Sequence, residues 1–132
     1  MTFSVEHPVV LTIPADSSYL RLVRLVVASM GADAPFDIEA VEDLRIAADE
    51  LVTAVVGSAN GHGTVSVEIS LRDGAILLSA RTHPAAAANP SPVTAILDPL
   101  ASQILSVLVD EFSFESVDGG SVGTFRKAVP VV

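Results

Sequence analysis

Glu50 lies in the run DLRIAADELVTAVV (residues 43–56), among acids that recur at helical spacing. Asp43 and Glu50 are seven residues apart, as are Glu42 and Asp49, so each pair shares one helix face within about 20°. A carboxylate so placed can orient or accept a proton, provided that polar groups hold the reacting atoms beside it. One turn on stands Ala54, which has no oxygen to offer. Repulsion along the face weakens a helix by only about 0.2–0.5 kcal/mol per close pair. Arg45, at i+3 from Glu42 and i−4 from Asp49, relieves part of it. Spacing alone leaves a solvated acidic face with one isolated glutamate.

Other chemistries find less support. His7, His62 and His83 are far apart, none has an i,i+4 partner, and the chain has no cysteine, so a zinc site is not expected. No Walker loop or Gly-x-Gly-x-x-Gly fingerprint occurs, and nothing singles out one of the many serines to join a histidine as a nucleophile. Gly61-His62-Gly63 and Gly119-Gly120-Ser121-Val122-Gly123 read as turns between strands.

The 132 residues are expected to form one domain, residues 1–132. Seven basic against 16 acidic residues give a formal net charge of −9. That balance argues against nucleic acid or an anionic membrane as the main partner. No apolar run approaches the roughly 18 residues of a membrane span, and MTFSVEHP does not resemble a signal peptide. A cytoplasmic protein is expected.

The elements that must position Glu50 follow from periodicity. FSVEHPVVLTI predicts a strand over residues 3–13. A first helix follows, with Asp16 or Ser17 as N-cap, an apolar stripe Leu20, Val23, Val27, Met30, and Gly31 as its stop. Asp37 caps a second helix that runs to about Val56 and stops at Gly57. Its buried face is expected to carry Ile38, Val41, Leu44, Ala48, Leu51, Val52 and Val55. Glu39, Glu42, Asp43, Asp49 and Glu50 fall on the other half, with Ile46 among them. Strict alternation in TVSVEISL predicts a strand buried on one face, and Arg72-Asp73-Gly74 a hairpin turn into AILLSA. Residues 82–92 read as a loop, and a short helix from Val93 is interrupted by Pro99. Asp98 then caps a helix carrying Leu100, Ile104, Val107 and Leu108. Phe112 and Phe114 alternate in a strand, Asp118-Gly119-Gly120 turns, and SVGTFRKAV forms the last strand. The order β-α-α-β-β-α-β-β predicts a two-layer α/β sandwich.

IPADSSYLRLVRLVVASMGADAPFDIEAVEDLRIAADELVTAVV resembles the N-terminal half of the RsbW-type anti-sigma factors, bacterial serine kinases with the histidine kinase-like (GHKL) ATPase fold. Their helix pattern E-D-L-x-x-A-x-x-E-x-x-T-N-A is met here by Glu42-Asp43-Leu44, Ala47, Glu50, Thr53 and then Ala54. LASQILSVLVDEFSFESVDGGSVGTFRKAVP is similar to the family's last helix and closing hairpin. The resemblance implies an α+β sandwich whose mixed, mostly antiparallel sheet carries its helices on one face.

The departures from the family pattern fall on its chemistry. The glutamate matching Glu50 orients or deprotonates the attacking group in the family, and the asparagine one turn later, Ala54 here, holds Mg²⁺ through the phosphates. An Asp-x-Gly after a strand reads the adenine amino group; ILLSARTHPA has Arg81 and Thr82 where the acid is wanted. The Gly-x-Gly phosphate cradle is replaced by DPLASQIL, without glycine. The resemblance therefore implies an anti-sigma factor or close regulatory relative that binds a sigma factor, an anti-anti-sigma protein or both, with no cofactor expected. The alternative is an active serine kinase using ATP and magnesium to phosphorylate an anti-anti-sigma factor. Partner contacts are implied for Arg21, which matches a family arginine, and for Arg24 one turn on. Homodimerisation is implied as well.

Overall fold

The computed structural model describes residues 8–34, 36–85, 94–117 and 119–128. Its strands and helices run β1 (Val9–Pro14), α1 (Leu20–Asp33), α2 (Ile38–Ser58), β2 (Thr64–Arg72), β3 (Ala75–His83), α3 (Pro99–Leu108), β4 (Glu111–Val117) and β5 (Gly120–Ala128). The strands form one sheet in the order β1-β2-β3-β5-β4, and every one of its pairings is antiparallel. All three helices cover one face, giving the expected two-layer sandwich. No described helix is long and apolar enough to cross a membrane.

Alternation decides what the covered face contains. Val65, Val67, Ile69 and Leu71 of β2 are buried, as are Ile76, Leu78 and Ala80 of β3 and Phe125 of β5. The register places Ile69 beside Leu78 and Leu78 beside Phe125, so these side chains form one row under the helices. Asp73 (φ 52) and Gly74 (φ 71) make the β2–β3 hairpin turn with two left-handed residues, the arrangement that matches strand twist.

Asp16 stands at the entry to α1, where its side chain accepts from the Ser18 backbone N–H over a short 3-10 turn, Ser17–Tyr19. That bond, and then one from the Ser18 side chain, hold its carboxyl below its ordinary range. The helix does not stop at Gly31. It continues to Asp33, because Gly31 is buried where α1 crosses α2; a Cβ there would lie 3.1 Å from Leu44 Cδ2. Helix α2 is capped by Asp37, whose side chain accepts from Ala40 N at 2.7 Å. It passes through Gly57 to Ser58, and the chain turns only at Asn60 (φ 53) and Gly61 (φ 78).

The buried face of α2 is Ala40, Leu44, Ala47, Ala48, Leu51, Val52, Val55 and Val56. Ile38, expected inside, is 86% exposed at the first position of α2, while Ala40 two residues on is buried. Residues 82 and 83, read as loop, belong to β3. Residues 94–98 adopt no regular structure, so no helix precedes Pro99 there. The start of that expected helix at Val93, most of the expected loop, the N-terminal part of the first strand and Asp118 lie outside the described residues.

Candidate functional site

Glu50 and Ala54 are half-buried on α2. At 3.6 residues per turn they lie on one flank of the helix, opposite the flank where Val41 meets Gly31 and Asp49 meets Arg24. Ser58, one further turn along, continues the same stripe. Among the described residues Glu50 makes no ion pair or hydrogen bond to a side chain, while the other acids of its helix divide differently. Arg45 pairs with Glu42, and Asp49 is taken by Arg24 of α1 at 2.8 Å instead of by Arg45. The acidic face is thus partly neutralised across the α1–α2 contact.

At the foot of this stripe three hydroxyls converge. Ser58 Oγ donates to the Val55 carbonyl at 2.7 Å and lies 2.7 Å from Ser121 Oγ. Each hydroxyl has one hydrogen, so Ser121 is the donor in the second bond. Thr82 Oγ1 accepts from Ser121 N at 3.0 Å and donates to Ser121 O at 3.3 Å. Thr82 and Ser121 are both buried, and no buried side-chain polar atom among the described residues is left without a partner. Gly120 is required beside them, since a Cβ there would collide with the Thr82 side chain. Sequence reasoning missed Ser58 and Ser121. Their signal was only a serine on the Glu50 stripe and one in a strand that reads as a turn.

Strand alternation also separates Arg81 from Thr82. Thr82 turns inward under α2, while Arg81 is exposed on the open face of the sheet. Only Thr82 occupies the corner where an acid was sought. On that same open face His83 Nε2 lies 2.7 Å from Ser66 Oγ, and a shallow depression of about 540 Å³ spans Glu68, Ser79, Thr124 and Arg126. The depression is on the side of the sheet away from Glu50.

The start of α3 completes the corner's chemistry. Asp98 Oδ1 accepts from Leu100 N at 2.7 Å, and Pro99 has no N–H. The amides that could receive an anion are therefore few, and a carboxylate already occupies one of them. The two arginines of α1 differ. Arg21 is exposed, whereas Arg24 is held by Asp49.

A family model described as the histidine kinase-like ATPase domain matches residues 13–127. The chain belongs to that family. No curated protein matches it. The match spans every described element but the start of β1 and the last residue of β5, so the family's fold is the fold seen here.

The family implies a nucleotide and its metal, and the residues of this corner do not fit them. Thr82 and Ser121 already satisfy one another's polar groups. Ala54 has no ligand atom, and the α3 N-terminus presents a carboxylate to any phosphate. Phosphoryl transfer draws most of its catalysis from positioned metal and charge stabilisation, and Glu50 alone supplies neither.

Proposed function

We propose that this member of the histidine kinase-like ATPase family is an anti-sigma factor of the RsbW type or a close regulatory relative. It acts in the cytoplasm by binding a sigma factor, an anti-anti-sigma protein or both, with little or no kinase activity. The observation that carries this reading is the Thr82–Ser121 pair, which closes on itself where an acid would have read adenine. A fold kept while its nucleotide chemistry is replaced by internal hydrogen bonds is put to use as a binding scaffold. Arg21 supports the same reading. It projects from α1 into solvent without an internal ion pair among the described residues, on a chain where Arg24 and Arg45 are both engaged.

The test has two arms on the purified chain. Calorimetric titration with Mg-ATP is expected to show weak binding or none; micromolar affinity would restore the kinase alternative. Capture of candidate sigma and anti-anti-sigma proteins is expected to proceed without nucleotide and to weaken about tenfold or more in Arg21→Ala. A desolvated interface arginine is worth about 2 kcal/mol or more. Thermal stability should move by no more than about 0.5 kcal/mol, as for other exposed positions. The matched control is Arg72→Ala, at the exposed end of β2, which should change neither. Capture by Arg21→Ala at parental strength would remove this residue from the partner surface.

A further inference from the structure

Three of the chain's seven basic residues, Arg72, Arg81 and Arg126, stand on the open face of the sheet, away from the helices. Among the described residues none of them enters an ion pair, although Arg126 faces Glu111 directly in the register of β4 and β5. Arg72 and Arg126 both line the depression of about 540 Å³ on that face, a volume within the range of small-molecule sites. Its shape follows from side-chain size. Ser70, Ser79, Ser113 and Thr124 make a floor of short hydroxyls, and the longer Glu68, Arg72, Glu111 and Arg126 stand around it. Leu78, Phe112 and Phe125 also border it, but they share a register row that packs toward the helices. Ser113 Oγ and Thr124 Oγ1 lie 2.6 Å apart and share one hydrogen, so the pair keeps one O–H to donate and lone pairs to accept.

We propose that this depression binds a free sugar phosphate, with the phosphate between Arg72 and Arg126 and the sugar hydroxyls running over Ser79 and Thr124 toward Glu68. The register sets the spacing. Arg126 is the partner of Leu77 on one side, and Ser70 is its partner on the other. Arg72 and Glu68 lie two residues from Ser70 in opposite directions along β2, each about 8 Å from Leu77 at the usual strand spacings. Both guanidinium groups therefore reach an anion placed over Leu77, and their planar forks match phosphate oxygens. The span on to Glu68 is one that a hexose phosphate covers, and the carboxylate accepts from a sugar hydroxyl there. A peptide would need apolar pockets for its alternate side chains, and on this side the depression offers Leu77 and, at its rim, Pro8. A lipid headgroup in an anionic membrane is opposed by the net charge of −9. The site lies across the sheet from α1, so Arg72→Ala stays neutral toward partner capture, which is measured without the ligand.

Heteronuclear NMR on the purified, isotope-labelled chain tests the site with glucose 6-phosphate, ribose 5-phosphate and glycerol 3-phosphate as probes. At least one should shift the amide signals of Ser70, Leu77, Ser79, Thr124 and Arg126 saturably. A shallow site implies weak affinity, with a dissociation constant of about 1 mM. Glucose and inorganic phosphate each carry half of the chemistry and should bind about tenfold more weakly or not at all. Arg126→Gln and Arg72→Gln should each weaken the sugar phosphate about tenfold. Arg81→Gln removes the same charge from the same face outside the depression and should leave binding unchanged. Glu68→Ala separates the two ends of the site. It should weaken the sugar phosphate but tighten inorganic phosphate, since a repelling charge is gone. The same spectra report whether each variant is folded; if half-buried Arg126 tolerates no change, Arg72→Gln and Glu68→Ala carry the test. No saturable shift with any of the three probes, inorganic phosphate bound as tightly as the sugar phosphate, or an equal loss in Arg81→Gln would overturn the proposal.

Discussion

Thr82 shows how one residue can convert a binding corner into structure. Its hydroxyl is at once acceptor for Ser121 N and donor to Ser121 O, so it stitches β3 to the residue after Gly120. Thr82→Val keeps the shape and removes both bonds, leaving a buried amide without its partner. That loss costs about 1–3 kcal/mol, to be read as a lower denaturation midpoint in urea at unchanged slope. A variant as stable as the parent would mean that water replaces the hydroxyl. Glu50 stands at the other end of the stripe with a different expectation. If the glutamate activates nothing, Glu50→Gln should leave partner capture and repression in cells nearly unchanged. Loss of repression with fold and capture intact would reveal a chemical step. Arg24 shows what spacing could not supply: i,i+4 rules direct Arg45 to Asp49, but α1 delivers Arg24 there first, across 25 residues of sequence.

The same division runs through the elements. Caps and alternation were readable because their causes are local: Asp37 caps α2 and Asp98 caps α3, and β2 alternates as TVSVEISL predicts. What local pattern misassigned were glycines inside helices and strands, some of them with a tertiary reason. Gly31 and Gly57 read as helix stops, yet Gly31 lets α1 approach Leu44, and α2 ends only where Asn60 and Gly61 turn left-handed. The last strand gives the sharpest instance. Gly123 has no special backbone angle, but a Cβ there would lie 2.7 Å from Leu51 Cδ1, 2.9 Å from Leu51 Cγ and 3.2 Å from Val55 Cγ2. Its absent side chain lets α2 rest on β5, and so fixes the height of Glu50 above the sheet. Gly123→Ala must push Leu51 aside or lift the helix. Overpacking of this kind costs about 1–3 kcal/mol, measurable by thermal unfolding; an unchanged midpoint would show that α2 has room to shift. Of the candidate site, sequence pointed to Glu50 and Ala54, and to both Arg81 and Thr82 where an acid was sought; strand pairing was needed to show that only Thr82 faces inward. Sequence could not show that Ser58 and Ser121 fill the corner, because their bond joins residues 63 positions apart.

At the scale of the whole molecule, charge is the dominant unbalanced quantity. Sixteen acids face seven bases, and among the described residues only two ion pairs form, Arg24–Asp49 and Arg45–Glu42. Their side chains are 40–53% exposed, so each contributes no more than about 1 kcal/mol and is itself screened by salt. Against these stand the remaining carboxylates, most without a cation, whose mutual repulsion is relieved when the chain unfolds and spreads its charge. Raising the ionic strength shrinks the Debye length from about 30 Å at 0.01 M to about 8 Å at 0.15 M. That removes the many longer repulsions more completely than the two short attractions. The unfolding midpoint at neutral pH should therefore rise from low to physiological salt, and the rise should be the same in sodium chloride and potassium chloride, since screening does not distinguish them. A midpoint that falls with salt would mean that attractive pairs outweigh the net charge, and that the acidic surface is more finely compensated than its −9 implies. The measurement belongs at a single low protein concentration, so that any association between copies does not add its own salt-dependent stabilisation.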